Sequence, residues 1–150
     1  MKKLLSFLCS IIRGLGGCDA DAGDIPVPFG TISIHTMSSI LLDKLEDMGC
    51  DADIYLPDME CKIYRKSDVM ACERLKEVAS IQYVAEEHDC DDFAAMGFGL
   101  GLGIAWTNVH ALNWFVDENG MFWFVEPQTC VISETLEGWQ GDDIRFFIGR

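Results

Sequence analysis

Basic residues are scarce in this chain: 11 Lys and Arg stand against 25 Asp and Glu, a formal charge of −14 at pH 7. Such a surface repels phosphate backbones and anionic lipid and attracts cations, which argues against nucleic-acid binding. No apolar run reaches the roughly 18 residues that a membrane-spanning helix needs. The seven cysteines contain no CxxC pair, which removes the zinc-ribbon and thioredoxin-type readings. Cys50, Cys61 and Cys72 are too widely spaced for a local chelate, and Pro57 separates the first two. Together with Cys9, Cys18 and Cys130 they read as free thiols in a reducing, cytoplasmic setting, with Cys90 set apart below. The glycine-rich stretch Gly97-Phe-Gly-Leu-Gly-Leu-Gly103 lacks a Walker lysine and fails the dinucleotide spacing. Its glycines are expected to end a helix and let backbones pass closely.

What is present is enough for one domain. Of 150 residues, 49% are hydrophobic and 24% charged, a composition that supports a single core. Met1 to Ile12 has the basic start and short apolar stretch of a secretory signal. Leu4, Leu5, Leu8, Ile11, Ile12 and Leu15 also fall at helical spacing, so an amphipathic helix over 1–18 explains the same residues. The remaining 19–150 are expected to form one domain, entered through an irregular connector from Asp19 to Gly30. A helix is predicted from Thr36 to a stop at Gly49, with Met37, Ile40, Leu41 and Leu45 as its apolar stripe. Short extended pieces follow at Asp53–Leu56 and Cys61–Arg65, then a second helix capped by Ser67. His35 lies in this half without a second ligand at chelating distance in sequence, and reads as a surface or capping residue.

The chemistry gathers in the carboxy-terminal half. In Glu86-Glu-His-Asp-Cys-Asp-Asp-Phe-Ala-Ala-Met, Asp89 is suited to cap a helix, which places Cys90 in its first turn. Unpaired amides and the positive dipole end at such a place favour a thiolate and can hold an oxyanion. The surrounding Glu86, Glu87, Asp89, Asp91 and Asp92 oppose it, so an active thiol there needs an imidazolium or a bound cation. His88 sits among these acids as a solvated loop residue. Hard oxygen donors at this density suit calcium or manganese rather than zinc, although a solvated acidic cap explains them too.

Ile104 to Val116, then Asp117-Glu-Asn-Gly120, then Met121 to Gln128 read as a β-hairpin. A three-residue loop of Glu118, Asn119 and Gly120 sets Glu126 opposite Leu112, on the same face as His110. A two-residue Asn119-Gly120 turn sets it opposite Asn113, on the other face. If His110 and Glu126 meet, His110 can take the Cys90 proton while Glu126 orients the ring. Trp106, Trp114, Trp123 and Trp139 offer core or an interaction face.

Asp89-Cys-Asp-Asp-Phe-Ala94, His110-x-x-Asn113 and Glu126-Pro-Gln-Thr129 together resemble a papain-like cysteine protease domain. That domain stands at the carboxy terminus of the Marasmius oreades agglutinin and in small phage and bacterial proteins. The resemblance covers about residues 80 to 130, and the lectin trefoil of the agglutinin is absent. It implies an α+β, papain-like fold, a helix bearing Cys90 packed on an antiparallel sheet bearing His110 and Glu126. It also implies a calcium- or manganese-dependent peptidase, with Asp91, Asp92, Gln128 and Asn113 serving the cation and Gln82 donating to the oxyanion. The expectation is therefore a divalent-cation-dependent thiol hydrolase with Cys90, His110 and Glu126 as catalytic residues and a peptide or amide as substrate. Thiol acyl transfer, or a cation- or partner-binding module on the same scaffold, are the alternatives.

Overall fold

The computed structural model describes residues 24–150. The expected amphipathic or signal-like segment over 1–18 lies outside them.

The apolar stripe of the first helix forms as read: α1 spans Ile34–Met48 and buries Met37, Leu41 and Leu45. Ser33 caps its start by accepting the Thr36 N–H at 3.2 Å, and Gly49 ends it in the left-handed region at φ 65°. The connector expected up to Gly30 is shorter than predicted. Strand β1, Pro28–Ser33, pairs antiparallel with β3, Glu60–Tyr64. Its residues are exposed or half-buried, so no alternating pattern announces it. Strand β2 is the short piece Asp53–Tyr55.

The second predicted helix is two. Arg65, not Ser67, precedes α2 at Lys66–Ala71, and the chain breaks at Cys72 before α3 at Glu73–Ala79. Cys72 is extended, its sulfur accepts the Leu75 N–H at 3.3 Å, and its S–H faces the Asp24 carbonyl at 3.3 Å. A buried sulfur thus caps the second piece, where a helical side chain would leave the incoming chain unpaired.

Helix α4, Cys90–Gly99, leads into β4, Gly103–Thr107, and β5, Ala111–Val116. The long strand expected from Ile104 to Val116 is thus folded back on itself at 108–110. Strand β6 is Phe122–Glu126, β7 is Val131–Ser133 and β8 is Ile144–Ile148. The six-stranded sheet runs β2-β8-β4-β5-β6-β7, antiparallel except where β2 meets β8.

Period-two alternation divides the β5 and β6 side chains between two layers. Leu112, Trp114, Val116, Phe122 and Phe124 form one core with Met37, Leu41 and Leu45 of α1. Phe115 and Val125 form a second with Val69, Cys72 and Leu75. Ala94 of α4 rests on Ile104 and Ala111, with Cys90 at the margin of that cluster. The class is α+β, a mixed sheet between one long helix and three short ones. Among the described residues no helix is long and apolar enough to cross a membrane. The five cysteines of the described region, Cys50, Cys61, Cys72, Cys90 and Cys130, are all free.

Candidate functional site

The site is assembled by the register of one hairpin. Asp117 N–H donates to the Met121 carbonyl at 2.9 Å, and Gly120 takes φ 81°, which fixes the three-residue loop. The Asp117 carboxylate holds that length from within. It accepts the Asn119 N–H at 2.8 Å, the Met121 N–H at 3.0 Å and the Trp123 indole N–H at 2.8 Å. The ladder then pairs Asn113 with Val125, so the next pair brings Glu126 opposite Leu112. His110 and Glu126 share a face, and His110 Nε2 lies 2.6 Å from Glu126 Oε2. The two-residue alternative is not adopted.

A second turn delivers the histidine. The buried Thr107 hydroxyl oxygen accepts the Val109 N–H at 3.2 Å and the His110 N–H at 2.8 Å. The Thr107 N–H donates to the His110 carbonyl at 2.8 Å. The ring is only 8% exposed. Burial opposes its charging, but the Cys90 thiol and the Glu126 carboxylate favour it and prevail, pushing His110 up to about 9. With Nε2 on the carboxylate, Nδ1 is the nitrogen left for the thiol. Such a chain of sulfur, imidazole and carboxylate can exchange a proton between the first two.

Cys90 opens α4 behind Asp89, and Asp92 completes the cap by accepting the Asp89 N–H at 3.4 Å. Asn113 fastens the helix to the sheet. Its side-chain amide donates to the Ala94 and Gly103 carbonyls, each at 2.9 Å. Gly97 makes this approach possible, since a Cβ there would stand 2.0 Å from Asn113 Oδ1. Asn113 is therefore a buried clamp and not the cation ligand that the resemblance implies. Its one free acceptor faces Gly97, about 9 Å along the helix from Asp91 at 1.5 Å per residue.

Asp89, Asp91 and Asp92 each bring one carboxylate oxygen within 4.8 Å of the others. A hydrogen bond to Asp89, burial and the charge of Asp89 push Asp91 up to about 6. Three crowded carboxylates fit a hard divalent ion, calcium or manganese, whose charge would relieve that crowding. Gln128, expected in the same ligand set, lines the cleft together with Cys90, and Asn113 lies in the core.

The cleft itself has a volume of about 590 Å³, within the range of small-molecule sites. Cys90, His110, Glu126 and Gln128 line it, with Trp139 and Tyr83 supplying aromatic surface. Gln82, expected as an oxyanion donor, is exposed and does not line it; its neighbour Tyr83 does. His88 and His35 are exposed and stand apart from the cleft. Sequence reading missed Thr107, Asp117 and Tyr83 as parts of this site. A threonine three residues before a histidine, and an aspartate three before a glycine, are turn signals that point to the first two.

No protein-family model matches the chain, and no curated protein matches it. Solved structures do. One, described as a PSL1a–E64 complex, superposes with a TM-score of 0.64 at 20% identity, covering 79% of this chain and 50% of its own. Another is the Polyporus squamosus lectin bound to the human-type influenza-binding epitope Neu5Acα2-6Galβ1-4GlcNAc, with a TM-score of 0.64 at 20% identity. It covers 79% of this chain and 49% of its own, so the chain spans about half the length of these structures. The expectation of a cation-dependent thiol hydrolase, peptidase or acyltransferase is corrected accordingly. One of the neighbours is a lectin holding a glycan, where the expectation named a peptide-cleaving enzyme. At this identity what is established is the fold, one shared with part of a fungal lectin.

Proposed function

We propose that the cleft between Trp139, Tyr83 and the His110–Glu126 pair is a carbohydrate-binding site. The observation that carries it is the lining: two aromatic side chains beside Glu126, Gln128, Thr129 and Gln140. Aromatic faces take the C–H surface of a sugar ring, while carboxylate and amide groups take its hydroxyls. The His110–Glu126 pair is preformed, so its polar atoms are ordered before a ligand arrives. The glycan on the Polyporus squamosus lectin makes a natural probe set. The net charge of −14 disfavours its sialic acid, so the neutral Galβ1-4GlcNAc portion is the better ligand.

The scaffold on this reading is papain-like, with Cys90 at the mouth of one helix and His110 and Glu126 on the opposing ribbon. Cys90 is then the reactive sulfur of the cleft, adjoining the bound sugar. Calcium or manganese would sit on Asp89, Asp91 and Asp92, beside the cleft rather than in it.

Titrating the protein with Galβ1-4GlcNAc and with its sialylated form, read by tryptophan fluorescence and calorimetry, tests the proposal. The neutral sugar is expected to bind, the sialylated one more weakly, and Trp139→Ala to lose at least tenfold in affinity. Bound sugar is also expected to slow alkylation of Cys90 by iodoacetamide. Absence of heat or spectral change across neutral and sialylated glycans overturns the proposal, whatever the reactivity of Cys90.

A further inference from the structure

A second cleft adjoins the first at Trp139. It opens between the carboxy-terminal end of α1 and the loop that joins β7 to β8, and its volume is about 840 Å³. Gly138 and Trp139 line both clefts, so one indole borders the two. We propose that the second cleft continues the carbohydrate site past Trp139. The units seated in it are amino sugars with free, protonated amines, as in a de-N-acetylated β1-4-linked glucosamine oligosaccharide. This rests on the reading of the first cleft as a sugar site.

The shared wall is fixed before any ligand arrives. The Trp139 N–H donates to the Leu136 carbonyl at 3.0 Å, and both side chains pack in the core beside α1. The Cys50 S–H faces the Asp142 carbonyl at 3.4 Å and ties the loop to the end of that helix. Both clefts have the size of small-molecule sites, and an aromatic side chain stands where they meet. A pair of such clefts takes a longer chain than the disaccharide considered above.

Charge decides which units go where. In the first cleft the one lining carboxylate, Glu126, is paired with His110 at 2.6 Å. In the second, Asp47, Glu137, Asp142 and Asp143 line the walls, and among the described residues no Lys, Arg or His does. Asp143 is paired with Arg145 at 3.0 Å. The last turn of α1 carries no basic residue, so the negative end of its dipole adds to the same field. A metal ion does not fit this arrangement. Among the described residues only Asp89, Asp91 and Asp92 bring three ligating atoms within 4.8 Å of one another. Carboxylates spread along a wall suit a ligand whose positive charges are spread along its length. The face of Trp139 adds cation–π attraction for an ammonium group, which an acetylated, neutral sugar lacks.

Calorimetric titration of the full chain with three probes tests this: Galβ1-4GlcNAc, the N-acetylglucosamine tetramer and the glucosamine tetramer. The glucosamine tetramer is expected to bind about tenfold tighter than its acetylated counterpart. Glu137→Gln combined with Asp142→Asn is expected to abolish that preference and to leave Galβ1-4GlcNAc binding unchanged. Asp58→Asn combined with Glu60→Gln, an equal change of charge on residues lining neither cleft, is expected to keep it. Equal affinity for the two tetramers, beside normal binding of Galβ1-4GlcNAc, overturns the inference and leaves the first cleft a sugar site. Failure of all three probes to bind overturns both readings. A preference lost equally in the two double variants, or matched by tetralysine, belongs to the net charge of the chain and overturns the inference as well.

Discussion

Two clusters of ionisable groups lie close together in this fold and have opposite characters. At the hairpin, His110, Glu126 and Cys90 form an attractive set: the ring is raised to about 9 because its neighbours favour its charge. At the mouth of α4, Asp89, Asp91 and Asp92 form a repulsive one: Asp91 is raised to about 6 because its neighbours oppose its charge. The first is built by long-range register and buried. The second is built by three nearly consecutive residues and half-exposed. Local sequence can gather like charges cheaply, whereas an attractive buried pair needs the sheet to bring its members together.

The largest expected effect comes from removing the device that sets that register. Asp117→Ala leaves two backbone N–H groups and an indole N–H without their acceptor. A loss of about 3 kcal/mol in urea unfolding is expected, since each hydrogen bond to a charged group is worth roughly 1.5–3 kcal/mol and water recovers some. The variant is also expected to weaken glycan binding through the displaced His110–Glu126 pair. An Asp117→Ala protein as stable as wild type would show that the strands hold their register without the turn.

Next in size is the pH dependence of the attractive cluster. His110 holds its proton more tightly folded than unfolded, where its ordinary value is 6.5. The stabilisation is therefore complete below pH 6.5 and drains as pH rises through about 9. Denaturation curves across that window are expected to lose on the order of 2 kcal/mol: one pKa unit is worth about 1.4 kcal/mol, and solvent reaching the half-buried Glu126 screens part of the full value. Glu126→Gln is expected to flatten the slope, and an equal slope in that variant would mean another group is titrating.

The smallest effect belongs to the repulsive cluster, with the same sign of shift on an acid. Asp91 contributes stability fully below 3.8 and loses it as pH rises through about 6. Asp91→Asn is expected to stabilise the protein at pH 7 by a few tenths of a kcal/mol, the site being half-exposed. Calcium is expected to raise the thermal midpoint of wild type and to do so less in Asp91→Asn. A midpoint unmoved by millimolar calcium in both would leave the carboxylates as a solvated helix cap.

The ease of reading these regions from sequence follows the same division. Asp89 as cap and Cys90 in the first helical turn depend on neighbours within four residues, and both are legible. So is α1, whose stripe and terminal Gly49 are local signals. The hairpin offered two registers, and periodicity could not choose between them; a buried carboxylate on Asp117 does. The reversal at 108–110 was missed because Thr107 shapes it with a hydroxyl, without glycine or proline. The break at Cys72 was missed because helix propensity continues through it, while the partner of its sulfur, Asp24, is 48 residues away. Strand β1 carries no buried alternation to detect. Asn113 was placed with the cation from a motif, yet its role depends on Gly97, visible only once helix and strand are in contact.

The order of strands has a consequence for how the chain is made. Strand β8, residues 144–148, sits between β2 at 53–55 and β4 at 103–107. A nascent chain therefore holds β2 without its neighbour until residues 144–148 have been made and have left the ribosome. The hairpin of β5 and β6 can close early, but the sheet around it is keyed shut from the middle, only once β8 is available. Slowing translation between β6 and β8 should lengthen the lifetime of a half-built sheet with an unsatisfied inner edge, the state in which this protein is most exposed to chaperones.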